Sequence, residues 1–154
     1  MTNYRINTST NEYIQDNNNL GSFFYTSDWR AATSDESTAY ELGLLKSDKI
    51  AQLNTNRAQF CTDPVLYNGK SYACSTESKN AITYLITSLA SGSSAIYPTI
   101  DEEYLSLTKA DFKAIALLMQ TREITSRQLR KDKKDQINAC ATAQEIEAIN
   151  IDLK

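Results

Sequence analysis

The stretch from Leu107 to Ile149 constrains the fold more than any other part of the chain, because it contains two helix starts and one long apolar period. Thr108-Lys109-Ala110-Asp111 and Thr142-Ala143-Gln144-Glu145 each set a hydroxyl residue three places ahead of an acid. In that spacing the hydroxyl accepts a bond from a first-turn amide. The acid reaches back to the cap amide and faces the positive end of the helix. After Thr108, Phe112, Ile115, Met119 and Arg122 recur at spacings of three and four, and Leu129 and Ile137 continue the same face more sparsely. The spacing predicts a long helix over 108–139, with a core-facing first half and a more exposed second half, followed by a short helix over 142–149.

The remaining elements are read against that end. From Ser34, Asp35 and Glu36 suit a first turn, and Tyr40, Leu44, Leu45, Ile50, Leu53, Arg57 and Phe60 follow at helical spacing. Gly43 is expected to split the run into a short helix and a longer one over 45–61, which Asp63-Pro64 ends. Asn68-Gly69, between Val65-Leu66-Tyr67 and Lys70-Ser71-Tyr72, supplies the two positive-φ residues of a type I′ hairpin turn. Thr76 is read as the cap of a helix over 76–91 whose stripe is Ile82, Leu85, Ile86 and Leu89, with Gly92 at its end. Residues 93–106, with Pro98 and two tyrosines, read as a partly extended connection. Near the start, Tyr4-Arg5-Ile6 and Glu12-Tyr13-Ile14 look like two brief strands, and Phe23, Phe24, Tyr25 and Trp29 form an aromatic cluster. The predicted fold is mainly α with a small β-hairpin (α+β). It comprises an antiparallel helical domain over 34–154 with a long C-terminal helix, and a short β-containing N-terminal arm over 1–33.

Several chemistries are disfavoured. The chain has no histidine, which removes the commonest general base and the commonest metal ligand. Its three cysteines, Cys61, Cys74 and Cys140, lie in no CxxC spacing and read as ordinary thiols. Four glycines leave little material for a phosphate-cradling loop, so no cofactor is expected. Asp101-Glu102-Glu103 is the one local group of acids that a carboxylate-based glycosidase would use, and a solvated loop is its plainer reading. Arg127 to Lys134 carries five positive charges against one negative, without interleaved aromatics for base stacking, and reads as a soluble helix face. A net charge of −3 adds no pull toward nucleic acid or anionic membrane. The longest apolar run, Ala114 to Met119, is far too short to span a bilayer, and the first 30 residues show no basic-then-apolar leader. Synthesis in the cytoplasm is expected, with no catalytic, cofactor or metal residues.

From about Lys46 to Asn150 the order of elements resembles an uncharacterised phage domain of unknown function that often ends tail-fibre and tail-fibre-assembly proteins. The resemblance rests on Asn54-Thr55-Asn56-Arg57, then Tyr67-Asn68-Gly69-Lys70-Ser71-Tyr72, then Ser75-Thr76 and Ser78 ahead of the Ile82/Leu85/Ile86/Leu89 helix. Leu107 to Phe112, the charged stretch, Ile137-Asn138-Ala139 and Glu145 to Ile149 complete it. Where that family often carries a tryptophan in the loop before the long helix, this chain has Tyr97 and Tyr104. The resemblance implies a structural component of a bacteriophage tail, at the fibre or baseplate, made in the host cytoplasm and located in the virion. A tail-fibre assembly chaperone is the alternative. The implied partners are other tail proteins, and further copies of the chain in a homo-oligomer or a three- or six-fold assembly. Tyr4, Tyr13, Phe23, Phe24, Tyr25 and Trp29 are the candidate partner-binding residues, since short strands can complete a partner's sheet and aromatic side chains can fill its pockets.

Overall fold

The computed structural model describes residues 3–16 and 27–153. Among these the chain order is β1 (Tyr4–Asn7), β2 (Tyr13–Gln15), β3 (Trp29–Ala31), α1 (Ser34–Thr62), β4 (Val65–Tyr67), β5 (Lys70–Tyr72), α2 (Thr76–Ser88), β6 (Ser94–Pro98), β7 (Tyr104–Thr108), α3 (Lys109–Ala139) and α4 (Ala143–Ala148). Helix accounts for 56% of the described residues and strand for 18%. The fold is therefore α+β, and "mainly α" understates a sheet content spread over three separate small antiparallel sheets.

Both helix starts of the last third form as their spacing requires. Thr108 N donates to Asp111 Oδ2 at 2.8 Å while Asp111 N donates to Thr108 Oγ1 at 3.3 Å. At α4, Thr142 and Glu145 make the same reciprocal pair. Each box satisfies amides that a helix end otherwise leaves without partners. The α2 cap lies one residue earlier than expected. Ser75, not Thr76, accepts from Ser78 N, and the helix ends at Ser88 rather than near 91.

Gly43 does not divide α1, which runs unbroken from Ser34 to Thr62. Its φ lies outside the left-handed region, and a Cβ built there would meet nothing within 4 Å. A glycine at such a site costs a helix only about 1 kcal/mol, which the flanking turns absorb. The 93–106 connection also differs from expectation. It is a hairpin, β6 paired with β7 from Ser94↔Thr108 to Pro98↔Tyr104. Pro98 is tolerated because it is the last residue of its strand, where a missing N–H interrupts the ladder least.

The chain divides into two compact units. The first holds residues 1–50 and 137–149, and so includes the sheet β2-β1-β3, the first half of α1 and all of α4. Within it, Ile6 of β1, Ile137 at the end of α3 and Ile146 of α4 are buried. Lys46 Nζ donates to the Asn138 carbonyl at 2.8 Å, which gives one of the open carbonyls at the end of α3 a cationic partner.

The second unit holds residues 51–136 and 150–154, with the main core. Val65, Tyr72, Cys74, Ile82, Leu107, Phe112, Ile115 and Met119 form one buried cluster drawn from both hairpins, α2 and α3. Tyr97 meets Phe112 edge to face at 5.5 Å and also touches Tyr72. Asn68 and Gly69 adopt φ of 48° and 74°, the positive pair of a type I′ turn. That turn leaves Tyr67 aimed at α3, where its hydroxyl donates to Asp111 Oδ1 at 2.7 Å. At the end of α1, Cys61 and Ser126 are both buried and share a hydrogen bond at 3.1 Å, and Arg57 pairs with Glu123 at 2.5 Å. Burial raises the Cys61 thiol pKa. Cys61, Cys74 and Cys140 form no disulfide.

Candidate interaction surface

The N-terminal sheet places the candidate residues on two opposite faces. β1 is central, with Ile6 opposite Tyr13 on one side and Arg30 on the other, while Arg5 is opposite Ile14 and Ala31. Side chains alternate along a strand and paired residues share a face. Tyr4, Ile6, Tyr13 and Arg30 therefore point one way, and Arg5, Asn7, Ile14, Trp29 and Ala31 the other.

The first face meets α1. Tyr13 stacks on Tyr40 with ring centroids 4.3 Å apart and planes 7° from parallel, and Tyr4 meets the same ring edge-on at 5.1 Å. A pair of this kind contributes about 0.5–1.5 kcal/mol beyond its buried area. Tyr4 and Tyr13 thus fasten the sheet to its own helix. Trp29 is half-buried on the opposite face, with Ile14. Phe23, Phe24 and Tyr25 lie outside the described residues. Of the six aromatics, then, two sit together on Tyr40 and one faces away from them.

Arg30 ties the sheet to the start of α1. Thr33 and Glu36 make a third reciprocal cap, with Thr33 N donating to Glu36 Oε2 at 2.8 Å and Glu36 N to Thr33 Oγ1 at 3.2 Å. The Arg30 guanidinium donates to both oxygens of the same carboxylate, at 2.7 and 2.5 Å. Arg30 first, and the Thr33 amide second, hold the Glu36 pKa down to about 2. A carboxylate lowered in this way contributes stability above its unfolded pKa and loses it as the pH falls toward the folded value. In an NMR titration Glu36 should show its midpoint at about pH 2, and Arg30→Ala should move that midpoint up toward the ordinary carboxylate range. An unmoved midpoint would remove the guanidinium as the cause.

Beside this cap is a polar recess of about 390 Å³ lined by Arg5, Asp16, Ser34, Ser37, Thr38 and Glu41, among others. Arg5 Nε and Asp16 Oδ2 neutralise one another at 3.0 Å, and the Asp16 side chain is 5% exposed. The recess thus holds a closed ion pair on its wall.

Most of the two charged clusters noted in the sequence are engaged in local structure. Asp101, Glu102 and Glu103 form the turn between β6 and β7, where Glu102 takes a positive φ of 61° and Glu103 pairs with Lys70 at 2.5 Å. That contact joins the tips of the two hairpins, as does the bond from Ile100 N to the Ser71 carbonyl. Four of the five cations between 127 and 134 have partners in the chain: Arg127 with Glu123, Arg130 with Asn54, Lys131 with Asp135, and Lys133 with the Asn150 carbonyl. Among the described residues no three of histidine, cysteine, aspartate and glutamate are placed to hold a metal ion, and no helix is long and apolar enough to cross a membrane.

A family model described as a domain of unknown function (DUF4376) matches residues 45–151. The match begins in the first half of α1 and ends just past α4. The sheet β2-β1-β3 and the cap at Thr33 lie before it. No curated protein and no solved structure matches the chain.

Proposed function

The chain belongs to the DUF4376 family of domains of unknown function, and we propose that it is a protein–protein interaction module of a bacteriophage tail, attached at the fibre or baseplate. The tail assignment comes from the likeness of the motif order between residues 46 and 150 to domains that end tail-fibre and fibre-assembly proteins. The physical observation that supports an interaction role is the N-terminal sheet. Among the described residues each outer strand is paired on one side only, and Ile14, Gln15, Arg30 and Ala31 on them are exposed. An open sheet edge presents main-chain N–H and C=O groups that a partner's extended segment can pair with, and side-chain pockets set specificity. In this reading the family domain is the carrier, and the sheet ahead of it is the part that meets the partner.

The test is hydrogen exchange on the chain alone and mixed with the purified fibre and baseplate proteins of the phage that encodes it. A complex should form, and the amides of residues 13–15 or 29–31 should become protected in it. A complex without protection there would overturn the sheet as the contact. No complex with any tail protein would overturn the tail assignment.

A further inference from the structure

The outer side of α3 carries a seam that, apart from the half-buried Ala114, the described residues leave exposed. Ala110, Ala114, Leu117, Thr121, Ile124 and Gln128 follow one another at spacings of four, three, four, three and four. That is the heptad period of a helix packed lengthwise on another helix. The core residues Phe112, Ile115, Met119 and Ser126 lie on the opposite side of α3. Along the seam Leu117 is 62% exposed and Ile124 60%, with Leu118 beside them at 40%. Apolar side chains grouped on one solvent face, unlike ones scattered singly, mark a surface that a partner covers.

The flanks of the seam say what does. One flank carries Lys113, Gln120, Arg127 and Lys134, and the other Asp111, Leu118, Thr125 and Asp132. One row is basic and the other, at its charged positions, acidic. When two such helices run parallel, a residue of the basic row meets the residue five places on in the other chain's acidic row. Arg127 then meets Asp132 of the second copy, and the Lys113 stem lies over its Leu118. When they run antiparallel, each basic row faces itself, and Lys113, Arg127 and Lys134 oppose like charges. Arg127 and Asp132 are available for this. Within the chain they make the exposed one-turn contacts Arg127–Glu123 at 3.2 Å and Gln128–Asp132 at 2.8 Å, and Asp132 also lies in the field of Lys131. Such pairs are weak and exchange readily.

We infer that copies of this chain associate through the outer face of α3, in parallel and in register, over residues 110–132. The small Ala110 and Ala114 let the helices approach at one end, and Leu117 and Ile124 fill the middle. This contact is separate from the N-terminal sheet and does not depend on the tail assignment. Three heptads would be marginal as free peptides, but here α3 is already held as a helix by its own core, so association orders little that is not ordered beforehand.

Sedimentation of the full chain up to millimolar concentration should give a mass two or three times that of one chain. Leu117→Glu with Ile124→Glu should leave a single chain with unchanged helical circular dichroism and melting, because both side chains are exposed in the folded unit. Arg127→Glu should weaken association by about tenfold, since an attraction becomes a repulsion at every contact, and adding Asp132→Arg should restore it. A single chain at every concentration, or undiminished association of the double glutamate variant, would overturn the inference. Failure of the charge reversal to restore binding would overturn the parallel register.

Discussion

Phe112→Ala should destabilise the second unit by about 3–5 kcal/mol, the range for emptying a fully buried aromatic site. Phe112 has no exposed surface and meets Tyr97 edge to face at 5.5 Å, within a core shared by two hairpins and two helices. The tightly packed ring has few ways to be replaced by collapse, because the surrounding Tyr72 and Ile82 are themselves fully buried. The loss should appear as a lower urea midpoint with an unchanged slope. A cost below about 1 kcal/mol would mean that the two hairpins do not depend on α3 for their core.

Asp111→Ala should cost about 2–3 kcal/mol, because one carboxylate serves two structures. Its Oδ2 caps α3 through the Thr108 amide and hydroxyl, at 2.8 and 2.6 Å, and its Oδ1 accepts from the Tyr67 hydroxyl at 2.7 Å. The Thr108 hydroxyl, then Tyr67, and then the Thr108 amide lower the Asp111 pKa below the ordinary aspartate value. The same bond raises the Tyr67 pKa above the ordinary tyrosine value. The two signs bracket a pH window. Stability from Asp111 is present above its unfolded pKa and falls away on acidification, while that from Tyr67 is present below its unfolded pKa and is lost as the pH rises through the raised folded value. Asp111→Ala should therefore flatten the acid limb of the stability profile. Tyr67→Phe should flatten the alkaline limb, and the double variant should cost less than the sum of the single ones. Additive costs would show that the hairpin and the helix start are not coupled through this bond.

What could be read from the sequence was local, and what could not was distant. Thr108 with Asp111, Thr142 with Glu145 and Asn68 with Gly69 each fix their geometry within four residues, so residue type and spacing were enough. Ser75 and Thr76 both carry a hydroxyl, and only the placement of Ser78 relative to Ser75 decides between them. The β6–β7 hairpin had a usable signal in the alternation of Tyr104-Leu105-Ser106-Leu107-Thr108, whose leucines turn inward. Pro98 hid it, because a proline argues against a strand unless its place at the strand end is known. The bond from Cys61 to Ser126 spans 65 positions, and no pattern of residue types announces it. On the candidate surface, the sequence grouped Tyr4, Tyr13 and Trp29 as aromatics. Only the register of β1 separates the tyrosines that pack on Tyr40 from the tryptophan on the other face.

The tail reading meets its most direct test in quantitative mass spectrometry of purified particles of the phage that this reading makes its source, compared with the pool of unassembled tail parts from the same infection. A structural tail component should be found in the particle at a copy number that is a multiple of three. Presence with the unassembled fibre and absence from the particle would make it an assembly chaperone, and absence from both would contradict the tail reading altogether.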